Sequence, residues 1–280
     1  MRWQGRRQSS NVEDRRGMSS GRKVGIGGGI GTIVIVIIVM LLGGDPSQVL
    51  NLMQDSGQSS YGLEQQATPS AEQDEMTQFV GVVLADTEDV WHNLFQQNNL
   101  KYREPKLVLF RTAVESACGY AQSATGPFYC PGDEKVYIDL DFLEQLQNQL
   151  GAHGDFAVAY IIAHEVGHHV QNLLGTLDQN NQAKAGRSQK QKNAMDVKVE
   201  LQADFYAGIW AHYAQKTKNI LEEGDLEEAM NAAQAVGDDR IQKQSQGYVV
   251  PDSFTHGTSA QRMKSFMLGF ESGDITLGEI

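Results

Sequence analysis

Residues 161–175 read IIAHEVGHHVQNLLG, an apolar run that nevertheless carries three histidines and a glutamate. A helix that is apolar on nearly every side belongs in a protein interior, and an unpaired charge placed there costs several kcal/mol. The chain must supply something that compensates, and this requirement constrains the fold more than any other feature. His164 and His168 stand four residues apart, so their rings leave one face of a helix. That separation lets two imidazole nitrogens reach one tetrahedral ion at about 2 Å each. Glu165 is angled beside such an ion rather than at it, where it can take a proton from an attacking water. The pattern is H-E-x-x-H.

A catalytic zinc usually has three protein ligands and an open fourth position. Downstream, within VKVELQADFYAGIWAHY, Glu200 and Asp204 are again four apart and again embedded in apolar residues. Glu200 completes a His-His-Glu set. Asp204, one turn along, is placed to accept the free ring N–H of a ligating histidine. The alternative is that both acids pair with surface lysines on a solvated face. His169 points about 100° away from His168 and reads as hydrogen-bonded rather than ligating. His212, near the end of the second helix, and Tyr129 and Tyr137 read as structural residues, the tyrosines with satisfied hydroxyls.

The segments AHEVGHHVQ, ELQAD, GPFYCPGDEKVYIDLDF and FTHGTSAQR together resemble the bacterial putative neutral zinc metallopeptidase family, over nearly the whole chain. The resemblance implies membrane anchoring, a zinc cofactor held by His164, His168 and Glu200, and Glu165 as catalytic base. THGTSAQR (255–262) also resembles the T-H-P-x-x-x-x-R element of the HtpX and CAAX-prenyl-protease metallopeptidases. It makes His256 and Arg262 candidates to face the substrate carbonyl or brace the site. The alternative for them is a histidine that opens the last helix and an arginine in an ion pair.

Charge is distributed unevenly. Residues 1–23 hold seven basic and two acidic residues, +5 in total, so the remainder of this chain of net charge −12 carries −17. An acidic body excludes nucleic acid as a partner, because phosphate binding needs a basic footprint. Residues 24–42 contain no charge, and a helix of that length spans roughly 28 Å, about the hydrocarbon thickness of a bilayer. With the basic flank on one side only, the stretch reads as a single transmembrane helix with a cytoplasmic N-terminus and an exported domain. The long basic segment and the lack of an A-x-A-like site favour an uncleaved anchor over a signal peptide. Gly27 and Gly31 form a small-xxx-small pair that would support weak dimerisation.

Residues 43–75, rich in Ser, Gln, Gly and Asp, read as a flexible linker. Residues 76–280 read as one helix-dominated α+β domain of zincin-like type. Helices are expected from residue 76, over 155–174 and 194–216, and near 225–235 and 258–270. Strands are expected within 106–114 and 135–140, Asp141 is expected to cap a short helix, and 176–192 to form a polar loop. Outside the cytoplasm, Cys118 and Cys130 are expected to pair, and a loop of that size contributes about 3 kcal/mol. The expected function is a membrane-anchored zinc endopeptidase acting on protein or peptide. Two alternatives stay open, a metal-stabilised scaffold without activity and an amidase acting on a non-protein amide.

Overall fold

The computed structural model describes residues 1–16, 71–122, 126–149 and 153–278. The expected membrane helix over residues 24–42, its Gly27 and Gly31, and most of the expected linker lie outside them. Among the described residues no helix is long and apolar enough to cross a membrane.

The domain is helix-dominated α+β. A four-stranded sheet runs in the order β1 (Val12–Asp14), β2 (Lys106–Phe110), β6 (Lys135–Asp139), β5 (Phe128–Cys130), the first three parallel and β5 antiparallel at the edge. A separate hairpin is formed by β3 (Ala113–Ser116) and β4 (Gly119–Gln122). The expected strand over 106–114 breaks at Arg111–Thr112, where Thr112 takes φ 68 and turns the chain out of the sheet. Helix α2 (Leu140–Gln149) follows β6 directly. Its early N–H at Asp141 donates to the Asp139 carboxylate at 2.9 Å, so Asp139 does the capping, while Asp141 pairs with Arg111.

Helix α1 (Ala71–Gln97) begins five residues before the expected boundary. Helix α3 (Asp155–Leu173) lies at the centre, with α1, α5 (Gln189–Lys218), α6 (Asp225–Ala235) and strands β5 and β6 packed round it. This position explains its composition: alanine, valine and isoleucine fill tight space on all sides. The stretch expected as a polar loop instead holds α4 (Thr176–Ala183) and the start of α5 (Gln189–Lys218). Ser188 and Gln191 form a reciprocal capping box there, which satisfies two free N–H groups and starts the long helix early. Helices α6 (Asp225–Ala235), α7 (Asp238–Gln246) and α8 (Ser259–Ser272) complete the chain, with α8 laid along α5. Gly208 and Gly269 permit that contact, since a Cβ on Gly269 would come within 2.1 Å of the Phe205 carbonyl oxygen.

Residues 1–16 are not a detached basic segment, as their charge suggests. They join the domain: β1 pairs with β2, Trp3 meets Phe79 edge-on at 5.5 Å between centroids, and Ser9 N–H donates to the Gly81 carbonyl at 2.9 Å. Cys118 in the β3–β4 turn is bonded to Cys130 at the end of β5, tying the hairpin to the sheet edge.

Candidate metal centre

Helices α3 and α5 cross where the motif lies. A Cβ on Gly167, inside the HEVGH sequence, would sit 2.9 Å from the Ala203 carbonyl oxygen. The glycine therefore lets the backbones approach closely enough for side chains of one helix to meet those of the other. At this crossing Glu200 Oε2 is 3.3 Å from His164 Nε2, and Glu200 Oε1 is 3.5 Å from His168 Nε2. Tetrahedral ligands about 2 Å from a central ion stand about 3.3 Å from one another. Glu200 thus stands from each imidazole nitrogen at about the separation that zinc ligands keep, and the ligand atoms of all three side chains lie within 4.8 Å of one another.

The free ring nitrogens are committed elsewhere. His164 Nδ1–H donates to Asp204 Oδ1 at 2.7 Å, and His168 Nδ1–H donates to Gln171 Oε1 at 2.8 Å. Each bond fixes the ring so that Nε2 points toward Glu200. Gln171 is in turn locked, its Nε2 donating to Val199 O at 2.7 Å and Gln202 Oε1 at 2.8 Å. Asp204, fully buried, accepts four donations: from His164, from Tyr160 OH at 2.5 Å, from Arg262 Nε at 2.8 Å and from Arg262 Nη2 at 2.9 Å.

The electrostatics favour positive charge at the crossing. Burial opposes ionisation of His164, yet the Asp204 and Glu200 carboxylates push it up to about 10. Burial likewise opposes charge on His168, and Glu200 outweighs it. Burial alone would raise Glu200, but the two imidazoles hold it well below the usual carboxylate range. Asp204, despite its burial, is held down at about 2 by Arg262 and His164. Carboxylates aimed in this way suit a divalent cation.

The other sequence candidates separate clearly. Arg262 is 3% exposed, borders the cleft and holds Asp204 with two nitrogens, so it braces the site through that carboxylate. His256 lies on the wall of the cleft, half exposed, with Nδ1 near Thr255 Oγ1 and Asp238 Oδ1 at 3.1 and 3.4 Å. The THGTSAQR segment divides into parts: Asp238 accepts the backbone N–H groups of Thr255, His256 and Gly257, Thr258 and Gln261 cap α8, and Arg262 reaches inward. His169 is neutral by burial, donating from Nε2 to the Arg103 carbonyl at 2.7 Å and accepting from Tyr129 OH at 3.0 Å. Tyr137 OH donates to Asp133 at 2.7 Å, and His212 Nδ1–H to the Phe270 carbonyl at 2.8 Å. Tyr160 and Gln171 are contributors the sequence did not flag. Their spacing was the available signal, since 160, 164, 168 and 171 form one stripe on α3.

A cleft of about 520 Å³ opens over the cluster, lined by His164, Glu165, His168 and Glu200 at its floor. Phe128, Phe142 and Ile161 are among its apolar lining. Over residues 1–279 the sequence matches the model of the family described as "Putative neutral zinc metallopeptidase". The chain belongs to that family. It is 50% identical over 279 residues to the uncharacterized protein YpfJ of Escherichia coli K12, covering 98% of this chain and 96% of that one. It is 41% identical over 250 residues to the uncharacterized proteins Rv2575 of Mycobacterium tuberculosis H37Rv and Mb2605 of Mycobacterium bovis, covering 84% of this chain and 82% of theirs. No solved structure matches. As a member of this metallopeptidase family the chain has Zn²⁺ as its cofactor, and His164, His168 and Glu200 have the donor set and spacing to hold it.

Proposed function

We propose that this chain is a zinc-dependent endopeptidase whose catalytic domain works outside the cytoplasm. The observation that carries the reading is the Glu200 carboxylate meeting both histidines of H-E-x-x-H across a helix crossing, with Glu165 beside them on the cleft floor. Bound zinc lowers the pKa of water toward neutrality and polarises a carbonyl oxygen. Glu165 takes the proton from the attacking water and delivers it to the leaving amine nitrogen. Asp204 and Gln171 hold the imidazoles in the tautomer that keeps Nε2 free, and Arg262 keeps Asp204 ionised. His256, half exposed on the cleft wall, is the residue we assign to donate to a carbonyl oxygen of the substrate. The Cys118–Cys130 disulfide supports an oxidising compartment.

Glu165→Gln tests the assignment, because it keeps the ligand set and removes the base. The variant is expected to bind one zinc like the wild type and to lose peptide hydrolysis, whereas His164→Ala loses both. Zinc-loaded wild type that cleaves nothing in a broad peptide library would refute the peptidase reading.

A further inference from the structure

Helix α1 carries Asp86, Thr87 and Glu88 in the middle of an apolar helix, exposed by only 2%, 0% and 5%. The partners of the two acids come largely from residues 6–11. Arg6 Nη2 lies 2.6 Å from Asp86, Arg7 Nη1 lies 3.0 Å from Glu88, and Ser9 Oγ and Asn11 Nδ2 donate to Glu88 at 2.5 and 2.9 Å. Arg7 also reaches Asp89 at 2.7 Å. Farther along, Leu107 N–H donates to the Asn11 carbonyl at 2.9 Å and Arg15 N–H to the Leu109 carbonyl at 2.8 Å. Glu13 meets Lys135 at 3.0 Å and Lys106 at 3.3 Å. The segment is a strap running over α1 and along the edge of the sheet, and its cations are matched to the domain's acids.

The pairing of this segment with the domain is therefore in conflict with a single membrane crossing. One pass between residues 16 and 71 would put β1 and β2 on opposite faces of a bilayer, and their hydrogen bonds cannot form across it. We infer that the arginine-rich residues 1–16 lie on the same side of any membrane as the metal centre, held there as an edge strand of its domain. The basic charge then pairs with acids of the domain and does not mark a cytoplasmic tail. This inference does not depend on the peptidase reading.

The test uses the full chain in spheroplasts. A Cβ on Gly81 would stand 3.4 Å from the Gln8 Cβ, within disulfide reach, and both native cysteines are already paired. The double variant Gln8→Cys/Gly81→Cys, treated with mild oxidant, is expected to give the 8–81 disulfide within the monomer, read by mass spectrometry. In separate single variants, the exposed positions Ser10→Cys and Gln97→Cys are expected to react alike with a membrane-impermeant maleimide, both before permeabilisation or both only after it. The inference is overturned by opposite labelling of the two positions. It is equally overturned if the link forms only between chains, or fails to form although the maleimide reaches both cysteines of the double variant in permeabilised cells.

Discussion

Replacing Asp204 with asparagine keeps the side-chain shape and removes one charge, and it separates two functions that the carboxylate combines. The carboxylate accepts from Tyr160, His164 and twice from Arg262. An amide has one oxygen and one NH₂, so at least one of these donors faces another donor. If the oxygen turns to Arg262 Nε, the NH₂ faces His164 Nδ1, which must become the acceptor. The ring proton then moves to Nε2, the nitrogen needed for the metal. Outer carboxylates of this kind are worth roughly 10–100-fold in metal affinity. Arg262, buried at 3% exposure, also loses its carboxylate partner, and breaking a buried ion pair from one side costs roughly 3–5 kcal/mol. Asp204→Asn should therefore weaken zinc by about 10–100-fold in a chelator competition titration. It should also lower the unfolding free energy of the metal-free protein in urea by about 3 kcal/mol or more. Zinc affinity within twofold of wild type together with an unchanged urea midpoint would refute the role assigned to Asp204.

Gly167→Ala should push α3 and α5 apart, since its Cβ would meet the Ala203 carbonyl oxygen at 2.9 Å; a loss of about 1–3 kcal/mol and weaker zinc binding are expected, measured by thermal unfolding with and without metal. Glu13 is raised by burial, but Lys135, Arg15 and Lys106 bring it from an ordinary 4.5 down to about 2. Because the folded value is the lower one, its stabilisation is present above about pH 4.5 and lost as pH falls to 2. With solvent screening at this partly exposed site the effect is about 1 kcal/mol. Glu13→Gln should thus be less stable than wild type at pH 6 and indistinguishable from it at pH 2, by urea midpoints. Replacing Cys118 and Cys130 together with serine opens the loop and should cost about 3 kcal/mol, with the wild type under reducing conditions falling to the same midpoint.

The candidate ligand set was legible in the sequence because an α-helix converts spacing into direction. Four-residue intervals put His164 and His168 on one face of α3, and Glu200 and Asp204 on one face of α5, whatever the rest of the chain does. The burial of α3 was legible for a similar reason, since an apolar run admits few alternatives. Tyr160 and Gln171 shared the α3 stripe yet went unflagged, because a tyrosine or glutamine beside a motif is more often filling than function. Arg262 was visible as a candidate, but its direction was not.

The sequence by itself determined which side chains could hold a cation and on which helices they stand, because those are local consequences of helical geometry. Only the tertiary structure decided that Gly167 closes the crossing, that Arg262 grips Asp204 with two nitrogens, and that the basic residues at the start of the chain answer acids on α1. Each of those depends on a partner distant in sequence. A cation seeking a membrane surface and a cation seeking a carboxylate eighty residues away are written with the same arginine, and the fold determines which of the two it meets.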